Sequence, residues 1–393
     1  MTSIAAEDGG PGFPIIDPFT IESLTVYVYR APVTRPVRTS FGTMVDRPAV
    51  VVTTRSTEGI PGYGEVWCNF PDPAAGYRAD LIAQVLAPAV VRRPWPGPEA
   101  VFDDLSERFR LLGIQAGEPG PFAQCIAGID IALWDMAARR ARMPLWRFLG
   151  GSGSGRVPAY ASGIGPEDPA GQAASARAQG HRAFKLKVGF GFGQDLSNLS
   201  AMRKALSSNT TIAVDANQAW SPEEARTMIG AIAPYFPAWI EEPIAVDRPE
   251  SDWVDLASHS PVPLAGGENL YGGEAFERAI RAGTLSIIQP DLTKWGGITG
   301  CLPVARRILA AGRRYCPHHL GAGVGVVASA HLLAAVGGDG LLEVDANPNP
   351  LREDLVEPYP GIEKGTIELR ESPGLGITLS RGTSPVRMVA TPA

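Results

Sequence analysis

Between Phe184 and Glu343 the chain repeats one pattern, a short apolar run that ends in one or two polar or ionisable residues. The runs are Phe184-Lys185-Leu186-Lys187-Val188, Ala213-Val214-Asp215-Ala216-Asn217, Trp239-Ile240-Glu241-Glu242-Pro243 and Gly266-Gly267-Glu268-Asn269. Gln289-Pro290-Asp291, Cys316-Pro317-His318-His319 and Leu341-Leu342-Glu343 follow. From Lys187 through Asp215, Glu241, Glu268, Asp291 and His318 to Glu343 the steps are 28, 26, 27, 23, 27 and 25 residues. A step of that size holds one strand, one crossover helix and two loops. Repeated units of this kind close into a (β/α) barrel whose active site gathers at the C-terminal ends of the strands. The barrel is expected to open with a strand at 157–162. Helices are expected in the gaps, among them 168–178, 221–232, 273–281 and 299–311. Ser221-Pro222-Glu223-Glu224 is a good helix start, with a capping hydroxyl, a proline in the first turn and acidic residues near the N-terminus.

Upstream the period changes. Alternating, β-rich stretches at 24–29, 49–55 and 62–66 predict an antiparallel meander. Loops are expected at 35–44 and 67–75. Helical spacing predicts helices at 76–92, 98–113 and 121–142; the last carries Ile126, Ile129, Leu133 and Met136 on one stripe, flanked by Asp130 and Asp135. The expected architecture is α/β: a flexible arm at 1–20, an α+β capping domain at 21–150, a (β/α)7β TIM-type barrel at 151–345, and a tail at 346–393 that returns to the cap. Gly150 to Gly155, rich in Gly and Ser, marks the boundary.

Composition narrows the function. The chain has 393 residues, 45% hydrophobic and 19% charged, with a formal net charge of −6 and no long Lys/Arg cluster. That argues against nucleic acid and anionic membrane surfaces as partners. No apolar run reaches the ~18 residues of a membrane span, and the acidic, Gly/Pro-rich N-terminus does not read as a signal peptide. Cys68, Cys125, Cys301 and Cys316 show no C-x-x-C spacing. They are expected to be free thiols in a cytoplasmic protein.

The polar ends of the runs carry the chemistry. Lys185 and Lys187, two apart on a strand, share a face. Their mutual repulsion is expected to lower the pKa of one or both and give an amine base. Asp215, Glu241 and Glu268 end three successive strands. Three unpaired carboxylates at one point need a cation, and hard oxygen ligands favour Mg²⁺. Glu242, on the other face, is expected to serve structure. Asp291 and His318 end the next two runs and suit an Asp–His dyad, with His319 as the alternative partner. Glu343, if protonated, suits hydrogen-bond donation to a developing oxyanion.

The series Lys185-x-Lys187, Asp215-x-Asn217, Glu241-Glu242-Pro243, Gly267-Glu268-Asn269, Asp291-x-x-Lys294-x-Gly296-Gly297, His318 and Glu343 resembles the enolase superfamily. Within it, the chain is similar to the mandelate racemase-like subgroup of the mandelate racemase/muconate lactonizing enzyme family. The resemblance implies Mg²⁺ on Asp215, Glu241 and Glu268, with Asn217 beside the metal site. It implies Lys187 as a base tuned by Lys185, the Asp291–His318 dyad as acid/base on the opposite face of the substrate, and Glu343 as hydrogen-bond donor to an enediolate. It also implies a homo-oligomer. The sequence departs from the racemase pattern after His318, where His319 and Gly321-Ala322-Gly323-Val324-Gly325 follow.

The function expected is abstraction of the α-proton of a small carboxylate substrate, leading to dehydration of a sugar acid. Racemisation or epimerisation of a 2-hydroxy acid by the same abstraction is the alternative. A barrel glycosidase leaves Lys185, Lys187 and His318 unexplained, and a non-catalytic binding protein leaves the whole ladder so. Lys294, Arg35, Trp67 and Asn69 are candidates for substrate contact, the last three from the two cap loops.

Overall fold

The structure, a computed structural model, describes residues 12–38 and 42–390. The β-rich start forms three antiparallel strands, Phe19–Arg38, Thr43–Ser56 and Pro61–Val66. The first two are longer than their alternation predicts. The expected loop at 35–44 is largely strand, with Val37 opposite Met44 and Arg38 opposite Thr43. The register shifts between Pro32 and Val37, where Pro32 and Pro36 cannot donate to a ladder. Residues 39–41 lie outside the described residues. So does most of the expected arm, residues 1–11. Beyond it Phe13 and Ile16 pack against the core, the Phe13 ring 5.1 Å from that of Trp134, while Ile15 is exposed.

The helix expected at 76–92 is broken into Ala74–Leu81, a π turn Ile82–Leu86, and Ala87–Val90. Pro88 lacks the N–H that would bond the carbonyl one turn back, and the helix widens before it. Pro98–Ala116 and Pro119–Arg140 complete the cap. The last lies hard against the third strand. A Cβ on Gly64 would overlap the Gly128 carbonyl, and one on Gly128 would overlap Val66.

Eight parallel strands follow: Arg156–Ile164, Ala183–Lys187, Thr211–Asp215, Ile240–Glu241, Leu264–Gly266, Ile287–Ile288, Arg314–Tyr315 and Leu342–Asp345. From the first to the seventh each pairs with the next, and the eighth pairs with the first. Between the seventh and eighth, the Leu341 N–H donates to Cys316 Sγ at 3.3 Å. Helices Pro169–Ala178, Phe192–Ala205, Pro222–Ile232, Glu250–His259, Gly273–Ala282, Gly297–Ala310 and Gly323–Val336 fill the gaps. Ser221 and Glu224 form the reciprocal capping box of the third.

The floor of the barrel is a ring of Tyr160, Ala183, Ala213, Trp239, Ala265, Ile287 and Cys316. Side chains on a strand repeat with period two, so the next inward layer is Ser162, Lys185, Asp215, Glu241, Gln289 and His318. The tail divides between the two halves of the molecule. Thr366–Glu368 pairs antiparallel with the start of the first barrel strand, and Arg387–Ala390 pairs with the first cap strand.

Candidate active site

Lys185 is fully buried on the floor ring, its Nζ 5.4 Å from the centre of the Tyr160 ring. That nitrogen lies 2.5 Å from Glu241 Oε1, 2.7 Å from Glu343 Oε1 and 3.5 Å from Asp215 Oδ2. Gln289 Nε2 and Trp239 Nε1 donate to Glu241 Oε2 at 2.7 and 3.2 Å. The Ser162 hydroxyl donates to Glu343. One layer up, Lys187 Nζ donates to Asp215 Oδ2 at 2.5 Å and to Asn217 Oδ1 at 2.8 Å.

Across the bowl, His318 Nδ1 is 2.7 Å from Asp291 Oδ2. Asp291 Oδ1 is held by the Thr293 N–H at 2.8 Å and the Thr293 hydroxyl at 2.6 Å. The other ring nitrogen of His318 is 2.5 Å from Glu268 Oε2 and 3.9 Å from Glu343 Oε2. His319 turns away, as the alternation of side chains requires. Its Nε2 is 3.2 Å from the Ala322 carbonyl, while its backbone N–H donates to Glu343 Oε2 at 3.3 Å.

These contacts reverse two electrostatic expectations. Burial works to lower the pKa of both lysines. For Lys185 the carboxylates of Glu241 and Glu343 overcome it and hold the pKa well above the ordinary range; for Lys187, Asp215 does the same, against the opposing push of Lys185. Glu343 was expected to be a protonated donor. Burial pushes its pKa up, yet Lys185 and His318 bring it below the ordinary value, so it is ionised and accepts from its neighbours. His318 is held protonated. Burial opposes the charge, but Glu268, Glu343 and Asp291 raise its pKa well above 6.5.

The three candidate metal carboxylates are also not unpaired. Asp215 faces Lys187, Glu241 faces Lys185 and Glu268 faces His318. Among the described residues no group of three His, Cys, Asp or Glu side chains stands at metal-ligating geometry. The donor set nonetheless suits a hard divalent cation. All three offer carboxylate oxygens at the ends of adjacent strands, Asp215 and Glu241 fully buried and Glu268 nearly so. Burial, with Asp215, Glu343 and Glu268 nearby, outweighs Lys185 and pushes Glu241 up to about 7. Glu242, at φ 40, sits behind them. Burial, then Glu268 and Asp215, push it up to about 8, and both its oxygens accept from Asn269 Nδ2, at 2.9 and 3.1 Å.

The cap reaches over the mouth through its third strand. The Trp67 N–H donates to the Thr293 carbonyl at 3.2 Å, and Lys294 Nζ lies 5.0 Å from the Trp67 ring centre. Lys294 also donates to Asn269 Oδ1 at 2.7 Å. Asn69 donates to the Leu320 carbonyl. Arg35 stands apart from these, exposed, bonded to Gln172 Oε1 at 3.0 Å and Asn347 Oδ1 at 3.4 Å.

Sequence reasoning missed Glu65, Arg47, Gln289 and Ser162 as site neighbours. Glu65 ends a strand in the same form as the barrel runs, and Gln289 stands two before Asp291, so both carried a signal. Arg47, buried against Asp345, carried none.

Comparison with known proteins agrees with the fold. The family model for the mandelate racemase / muconate lactonizing enzyme N-terminal domain matches residues 23–150, and the enolase C-terminal domain-like model matches 169–383. A mandelate racemase/muconate lactonizing enzyme structure from Bordetella bronchiseptica RB50 is 50% identical with a TM-score of 0.87, covering 92% of this chain and 97% of that one. A racemase from Streptomyces coelicolor A3(2) with bound magnesium is 28% identical, TM-score 0.83, covering 91% and 97%. D-galactarolactone cycloisomerase of Agrobacterium fabrum (strain C58) is 32% identical over 354 residues, 85% of this chain and 90% of that one. Arabinonate dehydratase and L-talarate/galactarate dehydratase are among further relatives. The chain belongs to the mandelate racemase/muconate lactonizing enzyme family and is an enzyme of the enolase superfamily.

Proposed function

We propose that the enzyme removes the α-proton of a small polyhydroxy carboxylate and expels its β-hydroxyl, a sugar-acid dehydration. The observation that carries the reading is the pair of proton-transfer groups on strands two and seven, Lys187 and the Asp291-oriented His318, with carboxylates between them. Asp215, Glu241 and Glu268 are the residues that would hold Mg²⁺. When bound, the ion supplies charge stabilisation for the substrate carboxylate as its α-carbon is deprotonated.

Lys187 takes the α-proton. Asp215 Oδ2 holds the Lys187 ammonium; were Asp215 engaged by the ion, that hold would weaken and a neutral amine would become accessible at Lys187. Lys185, fixed by Glu241 and Glu343, is a buried ammonium donor aimed at the floor of the bowl, where negative charge develops on the substrate. As the α C–H bond breaks and its electrons form the enol double bond, the β C–O bond breaks. His318 gives its proton to the departing oxygen, water leaves, and the enol tautomerises to a 2-keto acid. Dehydratase names among the relatives support elimination. The racemase of Streptomyces coelicolor supports the second reading, in which His318 reprotonates the opposite face.

The test is incubation with Mg²⁺ in D₂O across mono- and diacid sugars, read by NMR. Dehydration predicts a keto acid from at least one substrate, abolished by EDTA and restored by Mg²⁺. Deuterium exchange with no keto product overturns dehydration in favour of racemisation; EDTA-resistant turnover overturns the metal assignment.

A further inference from the structure

Glu65 is the last residue but one of the third cap strand, yet its buried carboxylate belongs to the barrel. Oε1 accepts from the Ala322 N–H at 2.6 Å and Oε2 from the Gly325 N–H at 2.7 Å. These amides open the helix Gly323–Val336, which has no side-chain cap of its own. Glu65 Oε1 is also 3.9 Å from His319 Nε2. The glycines that follow the two histidines make room for this arrangement. A Cβ on Gly321 would overlap Glu65 Oε1 and the His319 ring, and one on Gly325 would overlap that ring from the other side. Two positions further along the cap, Trp67 bonds the Thr293 carbonyl, and beyond it Asn69 bonds the Leu320 carbonyl. One cap segment therefore grips both loops that carry the Asp291–His318 dyad.

We infer that Glu65 is a positioning residue for His318, a cap carboxylate that fixes the 318–325 segment through a helix N-terminus and the His319 ring. This rests on the proposed function, in which Lys187 takes the α-proton and His318 protonates the departing oxygen. A carboxylate spanning two amides and facing a packed imidazole leaves the segment little freedom. Proton transfer is sensitive to displacements of an ångström. Losing Glu65 therefore disables the His318 proton transfer selectively, since Lys187 sits on the second strand, away from the gripped loops.

The test uses Glu65→Gln and, from the other side of the same ring, Gly325→Ala, both in the full-length Mg²⁺-loaded enzyme. Two readouts are taken. Keto-acid formation, which needs the His318 proton, is expected to fall about tenfold to a hundredfold, with the α-deuterium exchange that Lys187 carries within about twofold. Amide hydrogen exchange is expected to rise over 318–325 and to stay unchanged at strands two to five. Equal loss of keto-acid formation and of α-exchange, or no loss of keto-acid formation in folded protein, overturns the inference. Unchanged amide protection over 318–325 overturns it independently of any activity. Wild-type enzyme that exchanges no carboxylate substrate is instead a failure of the proposed function, and the amide measurement still decides the role of Glu65.

Discussion

Lys185 and Lys187 show why a charge cluster has to be summed in three dimensions. Repulsion between two ammonium groups and burial both lower a lysine pKa. Glu241, Glu343 and Asp215 outweigh both effects, from strands 56, 158 and 30 residues or fewer away in sequence. The rung spacing made the lysines, the carboxylates and the Asp291–His318 pair legible, because one period of βα repeats set all of them. The sign of the lysine shift was not legible, since it depends on which side-chain oxygens meet which nitrogen. If Asp215, Glu241 and Glu268 hold the metal, Asp215→Asn, Glu241→Gln and Glu268→Gln each weaken Mg²⁺ binding by at least about tenfold and abolish turnover. Calorimetric titration with Mg²⁺ checks this, and wild-type affinity in any one variant removes that residue from the set. His319→Asn is expected to cost less activity than His318→Asn, because the His319 ring faces Ala322 and Glu65 while the His318 ring faces Asp291 and Glu268. A larger kcat loss in His319→Asn reverses the assignment.

Among the elements, the helix Gly297–Ala310 depends on another part of the chain for its start. Its N-cap, Gly296, offers no side chain. Asp130, on the cap helix Pro119–Arg140, accepts from the Ile298 and Thr299 N–H groups at 2.7 and 2.9 Å and from the Thr299 hydroxyl at 2.5 Å. Gly297 leaves space for that carboxylate, since a Cβ there would overlap it. Asp130→Ala removes this cap and strands buried donors, at a cost of about 3 kcal/mol. Urea unfolding measures it; a loss below about 0.5 kcal/mol would mean the contact carries no stability. In the sequence, Asp130 reads as a charge flanking an apolar helical stripe. Its partners lie 168 and 169 residues away, so no local pattern announces them. Glu65 escaped for the same reason, whereas the Ser221 capping box was legible because all of it lies within four residues.

Over the whole molecule, cap, barrel and tail meet at His331. The Trp146 N–H donates to its Nδ1 at 3.1 Å, and its Nε2 is 3.2 Å from the Leu375 carbonyl, which requires the neutral ring. Burial lowers its pKa to about 4, with the Leu375 bond opposing. The folded value lies below the unfolded one of ~6.5. The stabilisation is therefore present above about pH 6.5 and is lost as pH falls toward 4, on the order of 3 kcal/mol in full. His331→Gln is expected to flatten the fall of Tm between pH 6.5 and 4, and an unchanged slope would contradict this. The tail's return to the first cap strand at 387–390 was not legible as a strand, because Arg387-Met388-Val389-Ala390 is too short and mixed to stand out. The central claim is that Lys187 takes the α-proton of one bound carboxylate and His318 gives a proton to its departing β-hydroxyl. It is tested most directly by the ratio of keto-acid formation to α-deuterium exchange in Mg²⁺-loaded Lys187→Ala and His318→Asn. Lys187→Ala is predicted to lose both, and His318→Asn to lose keto-acid formation while keeping exchange; exchange retained in Lys187→Ala, or keto-acid formation retained in His318→Asn, would contradict the account.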